Sequence, residues 1–217
     1  MCKNLIIIMT LMVMVNLWTD GTPAEGFGTE NEPYLIETLD NLLWLSTTDS
    51  VWVADTYFLQ TSDIDASETY NWNGGEGFSP IGPADFDYQF HGCYYGDDHI
   101  ISGLYINRPQ SNNIGFFGSL EDAEIGNLSI LEADITGKNY TGILTGESIS
   151  STIVINCDVS GFVTGDCYVG GLSGWNQSLI QMCNAECDII GNNTVGGICG
   201  KSMGSPIAFC STSGSVT

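Results

Sequence analysis

Three acidic pairs come nearest to chemistry in this sequence. They are Asp63 and Asp65 in "SDIDAS", Asp85 and Asp87 in "ADFDY", and Asp97 and Asp98 ahead of His99 in "GDDH". Side chains alternate along a strand, so residues two apart project to one side. Carboxylates paired in this way can act as acid and base on a glycosidic bond or can hold calcium. Asp63, Asp65, Asp97 and Asp98 are the calcium candidates. In a chain with 26 acidic residues, however, composition alone produces such pairs, and Ile64 between two aspartates suits a solvated strand with one apolar residue inward. The structural reading is favoured. A polysaccharide lyase also needs a basic group to take a proton from carbon or steady the developing charge. Beyond the N-terminal segment only Arg108, Lys138 and Lys201 are on offer. Two of these lie beside glycines of a repeat, and Arg108 precedes a proline. There is no HExxH, and the two histidines, His91 and His99, leave few options for a hydrolytic triad. Cys183 and Cys187 have an unusual spacing for zinc. Trp72, Tyr94, Tyr95 and Tyr105 can stack on sugars, although packing is the commoner use of such rings. No catalytic residue and no cofactor follows from these residues.

Charge narrows the partners. Against 26 acidic residues stand 4 basic ones, for a formal net charge of −22. Such a surface repels phosphate backbones and anionic lipid, which excludes nucleic acid and peripheral membrane binding as expectations. It suits a solvated extracellular surface, a salty habitat, or loose capture of divalent cations. The N-terminus, "MCKNLIIIMTLMVMVNLWTDGTPAEG", sets Lys3 before an apolar run from Leu5 to Val15 and then small, polar residues. That layout predicts a secretory signal peptide over residues 1–24, too short for a comfortable membrane span. No later stretch approaches spanning length. The mature chain is expected to be exported, secreted or held at the cell surface. Without Cys2, seven of the 8 cysteines remain, an odd number for disulfides.

The elements that must position these residues announce themselves through repetition. "YTGILTG", "YVGGLSG" and "TVGGICG" recur, and with them Gly137, Gly142 and Gly146, then Gly165, Gly170 and Gly174, then Gly191, Gly196 and Gly200. With Gly118 of "IGFFG", the last glycine of each set returns after 28, 28 and 26 residues. Cys157 and Cys183 ride on the same period, each eight residues before a repeat glycine, and Cys210 continues it. Helical solenoids fail here, because each interior glycine costs a helix on the order of 1 kcal/mol. A coil of short strands fits: "STIVINCDV" carries the β-branched, alternating residues strands prefer. Equivalent residues of successive coils then stack about 4.8 Å apart. The glycines are expected to turn the same corner with the same unusual dihedrals. Cys157, Cys183 and Cys210 are expected to form an inward row of small apolar groups, in preference to disulfides or a metal site. Asn139 and Asn193, with Cys167 between them, read as a broken side-chain ladder.

The N-terminal half is out of register with these copies. "PYLIET" reads as a strand, and "LDNLLWLS" as a short helix capped by Thr38 or Asp40, suited to closing the apolar end of a solenoid. Here "GTENEPYLIETLDNLLWLS", "YFLQTSDIDAS", "FSPIG", "FHGCYYGDDHIISGLYIN" and "IGFFG" together resemble the opening of secreted bacterial GLUG-motif proteins. The glycine repeats look like the GLUG motif itself, and the resemblance runs from about Gly28 to the end. The chain departs from the family turn at Tyr95 and Asp98, where an aspartate and a glycine are usual. The resemblance implies a right-handed β-helix, export and a large multi-module surface protein. It implies no catalytic residues, since GLUG repeats occur as accessory modules, for example in a bacterial IgA-cleaving metallopeptidase.

The expected architecture is therefore an all-β, right-handed parallel β-helix with a helix-bearing N-terminal cap. Residues 25–112 form the cap and irregular first coils, and 113–217 the glycine-rich repeats. "CSTSGSVT" stops in mid-rung, which predicts a fragment of a longer repeat protein. The expected function is a non-catalytic exported module presenting an adhesion surface to an extracellular glycan or surface protein. The alternative is a lyase-like enzyme or an accessory domain of a secreted peptidase.

Overall fold

The computed structural model describes residues 21–83 and 88–217. Most of the expected leader, and the Asp85–Asp87 pair, lie outside these residues. The chain winds as a parallel β-helix. Successive coils add one strand each to four sheets whose strands pair in parallel. The first sheet stacks Tyr34–Ile36, Tyr57–Gln60, Cys93–Tyr95, Glu124–Gly126, Ile153–Ile155, Leu179–Gln181 and Ile207–Ala208. The second stacks Ile64–Asp65, Ile100–Ser102, Ser129–Thr136, Asp158–Thr164, Asn184–Ile190 and Ser211–Ser213, with Tyr105–Asn107 also pairing on Ser129–Thr136. Asn139–Thr141, Cys167–Gly170 and Asn193–Gly196 make the third, and Phe117–Glu121, Thr145–Ile149, Ser173–Asn176 and Cys199–Ser202 the fourth.

Register turns the sequence period into columns. Phe117 pairs with Thr145, Thr145 with Ser173 and Ser173 with Cys199, so Gly118, Gly146, Gly174 and Gly200 follow one another up the fourth sheet. The reason for glycine there corrects the dihedral argument. None of the repeat glycines from Gly137 to Gly200 has positive φ. The left-handed positions belong instead to Tyr140, Tyr168 and Thr194, and at another corner to Asn127, Asn156, Met182 and Phe209. What the glycines lack is room. A Cβ on Gly174 would lie 2.3 Å from the Thr141 nitrogen, and one on Gly200 2.4 Å from the Tyr168 carbonyl carbon. The third sheet folds flat against the fourth, and only a bare backbone permits that approach.

The lumen is largely apolar and graded. Phe58, Tyr94, Ile125, Val154 and Ile180 stack inward along the first sheet, all buried. Near the N-terminus Phe58, Phe90, Phe116 and Phe117 fill the bore with ring-to-ring contacts of 4.9–5.7 Å. Farther along, Cys157 and Cys183 occupy one inward column, both fully buried, and Cys210 continues it half-buried. These three, with Cys93, Cys167, Cys187 and Cys199, are free thiols.

The N-terminal end is closed by the helix Leu39–Thr47. Thr38 caps it, its side chain accepting from the Asn41 amide while Asn41 Oδ1 accepts from the Thr38 amide. Its own Leu42 and Leu45 are fully buried, and its Trp44 meets Tyr34 edge-on at 5.2 Å. Residues just before the strands join this cap: the Thr22 hydroxyl bonds Asp40, and Asn41 Nδ2 donates to the Thr22 carbonyl at 3.0 Å.

Candidate functional site

The carboxylates singled out above do not converge. Asp63 and Asp65 do flank a buried Ile64 on one side of their strand, both exposed. Each is engaged locally. Asp63 accepts from the Ile100 amide at 2.9 Å and lies 3.3 Å from His99 Nδ1. Asp65 accepts from the Ser67 amide at 2.9 Å. Hydrogen bonds hold both carboxyls below their ordinary pKa: at Asp63 chiefly the Ile100 amide, with His99 adding to it, and at Asp65 chiefly the Ser67 hydroxyl, with the Ser67 amide adding to it. Asp97 and Asp98 sit in a turn with left-handed dihedrals. Among the described residues no three His, Cys, Asp or Glu side chains are grouped to hold a metal ion.

The basic residues are placed apart from these. Arg108 is a strut: its guanidinium meets Glu76 at 3.0 Å, the Phe78 carbonyl at 3.3 Å and the Ser79 hydroxyl at 3.2 Å. Lys201 lies over the Trp175 ring, 4.4 Å from its centroid, and 5.5 Å from that of Tyr168. Lys138 is exposed at a turn.

The candidate aromatics divide. Tyr94 is wholly buried and so is corrected from surface residue to core residue; its hydroxyl donates to Gln60 Oε1 at 3.3 Å, and burial pushes its pKa far up. Trp72 stacks on Phe78, and Tyr105 meets Tyr70 with the rings tilted 59° and centroids 4.8 Å apart. Tyr95 alone remains on an open sheet face, its hydroxyl meeting Glu124. Another set escaped sequence reasoning. Tyr140 and Tyr168 stack with their rings 3° from parallel and centroids 5.1 Å apart, and Trp175 abuts both edge-on. The two tyrosines open "YTGILTG" and "YVGGLSG", so the repeat itself carried that signal.

Two outer faces differ sharply in character. The second sheet is acidic. An extra residue in Ser129–Thr136 breaks its register against Val159 and Gly161 and opens a groove of about 660 Å³. Glu132, Asp134, Glu186 and Asp188 line it, and Phe162, 60% exposed, stands in its floor between Asp134 and Asp188. The first sheet is the opposite. Its outward positions form two columns, half-buried apart from the buried Gly126. One runs Tyr57, Cys93, Glu124, Ile153 and Leu179. The other runs Leu35, Leu59, Tyr95, Gly126, Ile155, Gln181 and Ala208. Glu124 is the single charge among these twelve. Beside the strip, the exposed turn residues Asn127 and Asn156 form a ladder, Asn156 Nδ2 donating to Asn127 Oδ1 at 2.8 Å. The ladder expected at Asn139, Cys167 and Asn193 has that register, but its hydrogen bonds run elsewhere: Asn139 donates to Asn112, and Asn192 to Asp166.

Among the described residues no helix is long and apolar enough to cross a membrane. No family model matches the chain. It is 36% identical over 185 residues to halomucin from Haloquadratum walsbyi, covering 81% of this chain and 2% of halomucin. It is 35% identical over 195 residues to a protein of Evansella cellulosilytica described as a Gly-rich membrane protein, covering 82% of this chain and 21% of that one. The chain thus spans a small part of either relative. Among solved structures it resembles a crystal structure described as an immunoglobulin A1 protease from Bacteroides ovatus. The TM-score there is 0.65 at 21% identity, over 88% of this chain and 62% of that one. That likeness shows the fold.

Proposed function

We propose that this chain is a non-catalytic, exported module of the GLUG-repeat type, displayed at the cell surface as part of a larger protein and presenting a binding face to the exterior. The observation that carries the reading is the outer strip of the first sheet. A molecule with a net charge of −22 keeps twelve registered outward positions almost free of charge along its whole length. A sustained apolar surface on a soluble fold marks a place of contact. The relatives named for a mucin and for a membrane protein, each far longer than this chain, support display outside the cell. The non-catalytic part draws on the dispersal of the candidate groups: Arg108 and Lys201 are already partnered, and Asp63 and Asp65 are spent on local hydrogen bonds.

The test is labelling of intact cells with a membrane-impermeant biotin ester, alongside a lyase assay on acidic polysaccharides. Labelling of the native protein without formation of unsaturated sugar products is the expected result. A protein retained inside the cell, or saturable lyase turnover, defeats the proposal.

A further inference from the structure

We infer that the outer strip of the first sheet binds a neutral, linear polysaccharide lying along the helix axis, an inference that deepens the proposed function and rests on it. Charge selects the ligand first. An anionic chain is repelled by the surrounding acidic surface, and a cationic chain is drawn to that whole surface, the groove beside Phe162 included. Only a neutral chain is left to the strip's own chemistry.

Shape selects it next. Seven strands make six steps of about 4.8 Å, so the strip is about 29 Å long, and its two columns lie about 6.6 Å apart. Such a strip offers on the order of 300–400 Å², well short of the roughly 800 Å² per partner of a stable protein interface. A second copy would also bring a further net charge of −22 to the pair. The strand spacing is comparable with the length of one hexose, so a chain laid along the axis meets an equivalent surface at each coil.

The side chains complete the match. Tyr57 and Tyr95 supply rings, and Leu59, Ile153, Ile155 and Leu179 supply an aliphatic floor against which the C–H faces of pyranose rings stack. Along one border the exposed amides of Asn127 and Asn156, which follow directly on Gly126 and Ile155, are placed to exchange hydrogen bonds with sugar hydroxyls.

The experiment is calorimetric titration of the full chain with cellohexaose, mannohexaose, laminarihexaose and xylohexaose, with hexagalacturonate and the glucosamine hexamer as charged arms. At least one neutral hexasaccharide is expected to bind saturably. Tyr57→Ala with Tyr95→Ala should weaken that binding at least tenfold. Tyr57→Phe with Tyr95→Phe, which keeps the rings, should hold it within about threefold, and Phe162→Ala in the acidic groove should leave it unchanged. The inference is overturned if no neutral hexasaccharide binds, if binding survives the double alanine variant, or if the phenylalanine pair loses as much as the alanine pair. It is overturned equally if the strip proves to mediate self-association in sedimentation velocity. A protein labelled on intact cells that binds no neutral sugar defeats this inference alone; one absent from the surface defeats the reading beneath it.

Discussion

Glu147 is an acidic residue the fold treats badly. It stands in the fourth sheet in register with Ser119 on one side and Trp175 on the other, half-buried, with Asn113 Nδ2 donating to its Oε2 at 2.8 Å. Burial pushes its pKa up, and the Asn113 bond offsets only part of that. A carboxyl that binds its proton more tightly when folded costs stability where it is ionised. The cost is full above the raised folded value, shrinks as pH falls through it, and is absent below the unfolded value. Glu147→Gln keeps an acceptor for Asn113 and removes the charge. Its melting temperature should therefore exceed the parent's by about 1–3 °C near pH 7, as for somewhat under 1 kcal/mol in a domain of this size once solvent screening of a partly exposed carboxylate is allowed for. The gain should vanish below about pH 4, the ordinary glutamate value; a gain equal at both pH values would mean burial is not its source. Asp63 and Asp65 have the opposite sign: their lowered pKa values favour the fold at neutral pH, and that support is lost as pH falls through them. Because both spend acceptor oxygens on backbone amides, calcium should raise the melting temperature no more than magnesium does at equal ionic strength. A calcium-specific rise of more than about 2 °C, worth roughly 0.5–1 kcal/mol, would instead restore the site first sought there.

At the scale of elements, the glycine column separates two reasons for the same residue. Gly174→Ala would drive a methyl group to 2.3–2.6 Å from the backbone of Tyr140 and Thr141, where no side-chain rotation gives relief. Overpacking against fixed backbone should cost about 3 kcal/mol or more. Gly126→Ala meets only side-chain atoms of Tyr95 and Ile155, at 3.3 Å and beyond, and should cost under about 1 kcal/mol. Urea denaturation of the two variants measures the contrast, and equal losses would contradict the packing account. The same column shows what a sequence can disclose. A period of 28, 28 and 26 residues maps directly onto strand register, because a coil adds one strand per lap. The cap was legible for a local reason, Thr38 or Asp40 as a capping residue before leucines at helical spacing; the structure uses Thr38 and adds the reciprocal bond from Asn41. The cause of the glycines was not legible: positive φ and close approach both leave a glycine behind, and here Tyr140, Tyr168 and Met182 took the left-handed positions. The outer strip stayed hidden too. Strands of three residues show too little alternation to say that Tyr94 faces inward and Tyr95 outward until the neighbouring coils are placed beside them.

For the molecule as a whole, the arrangement of charge matters more than its total. Columns repeat like residues one strand spacing apart, so acids on one outer face stand near other acids. Asp134 and Asp188 stand two strand spacings apart on either side of Phe162, and Glu132 and Glu186 line the same groove. With 4 basic residues in the chain, few can be neutralised in place. Self-repulsion on this scale opposes the compact state and is relieved by salt, since the Debye length falls from about 30 Å at 0.01 M to about 3 Å at 1 M. The melting temperature should accordingly rise by at least about 4 °C between those two sodium chloride concentrations, equivalent to roughly 1–2 kcal/mol. Most of the rise should come from the second sheet. Asp134→Asn with Asp188→Asn should therefore stabilise the chain at low salt and flatten its salt response, while Asp97→Asn with Asp98→Asn, in a turn outside the groove, should alter it less. Differential scanning calorimetry across the salt series decides the matter. A melting temperature indifferent to salt, or one lowered by it, would show that the crowded carboxylates have found compensation that the column geometry does not supply.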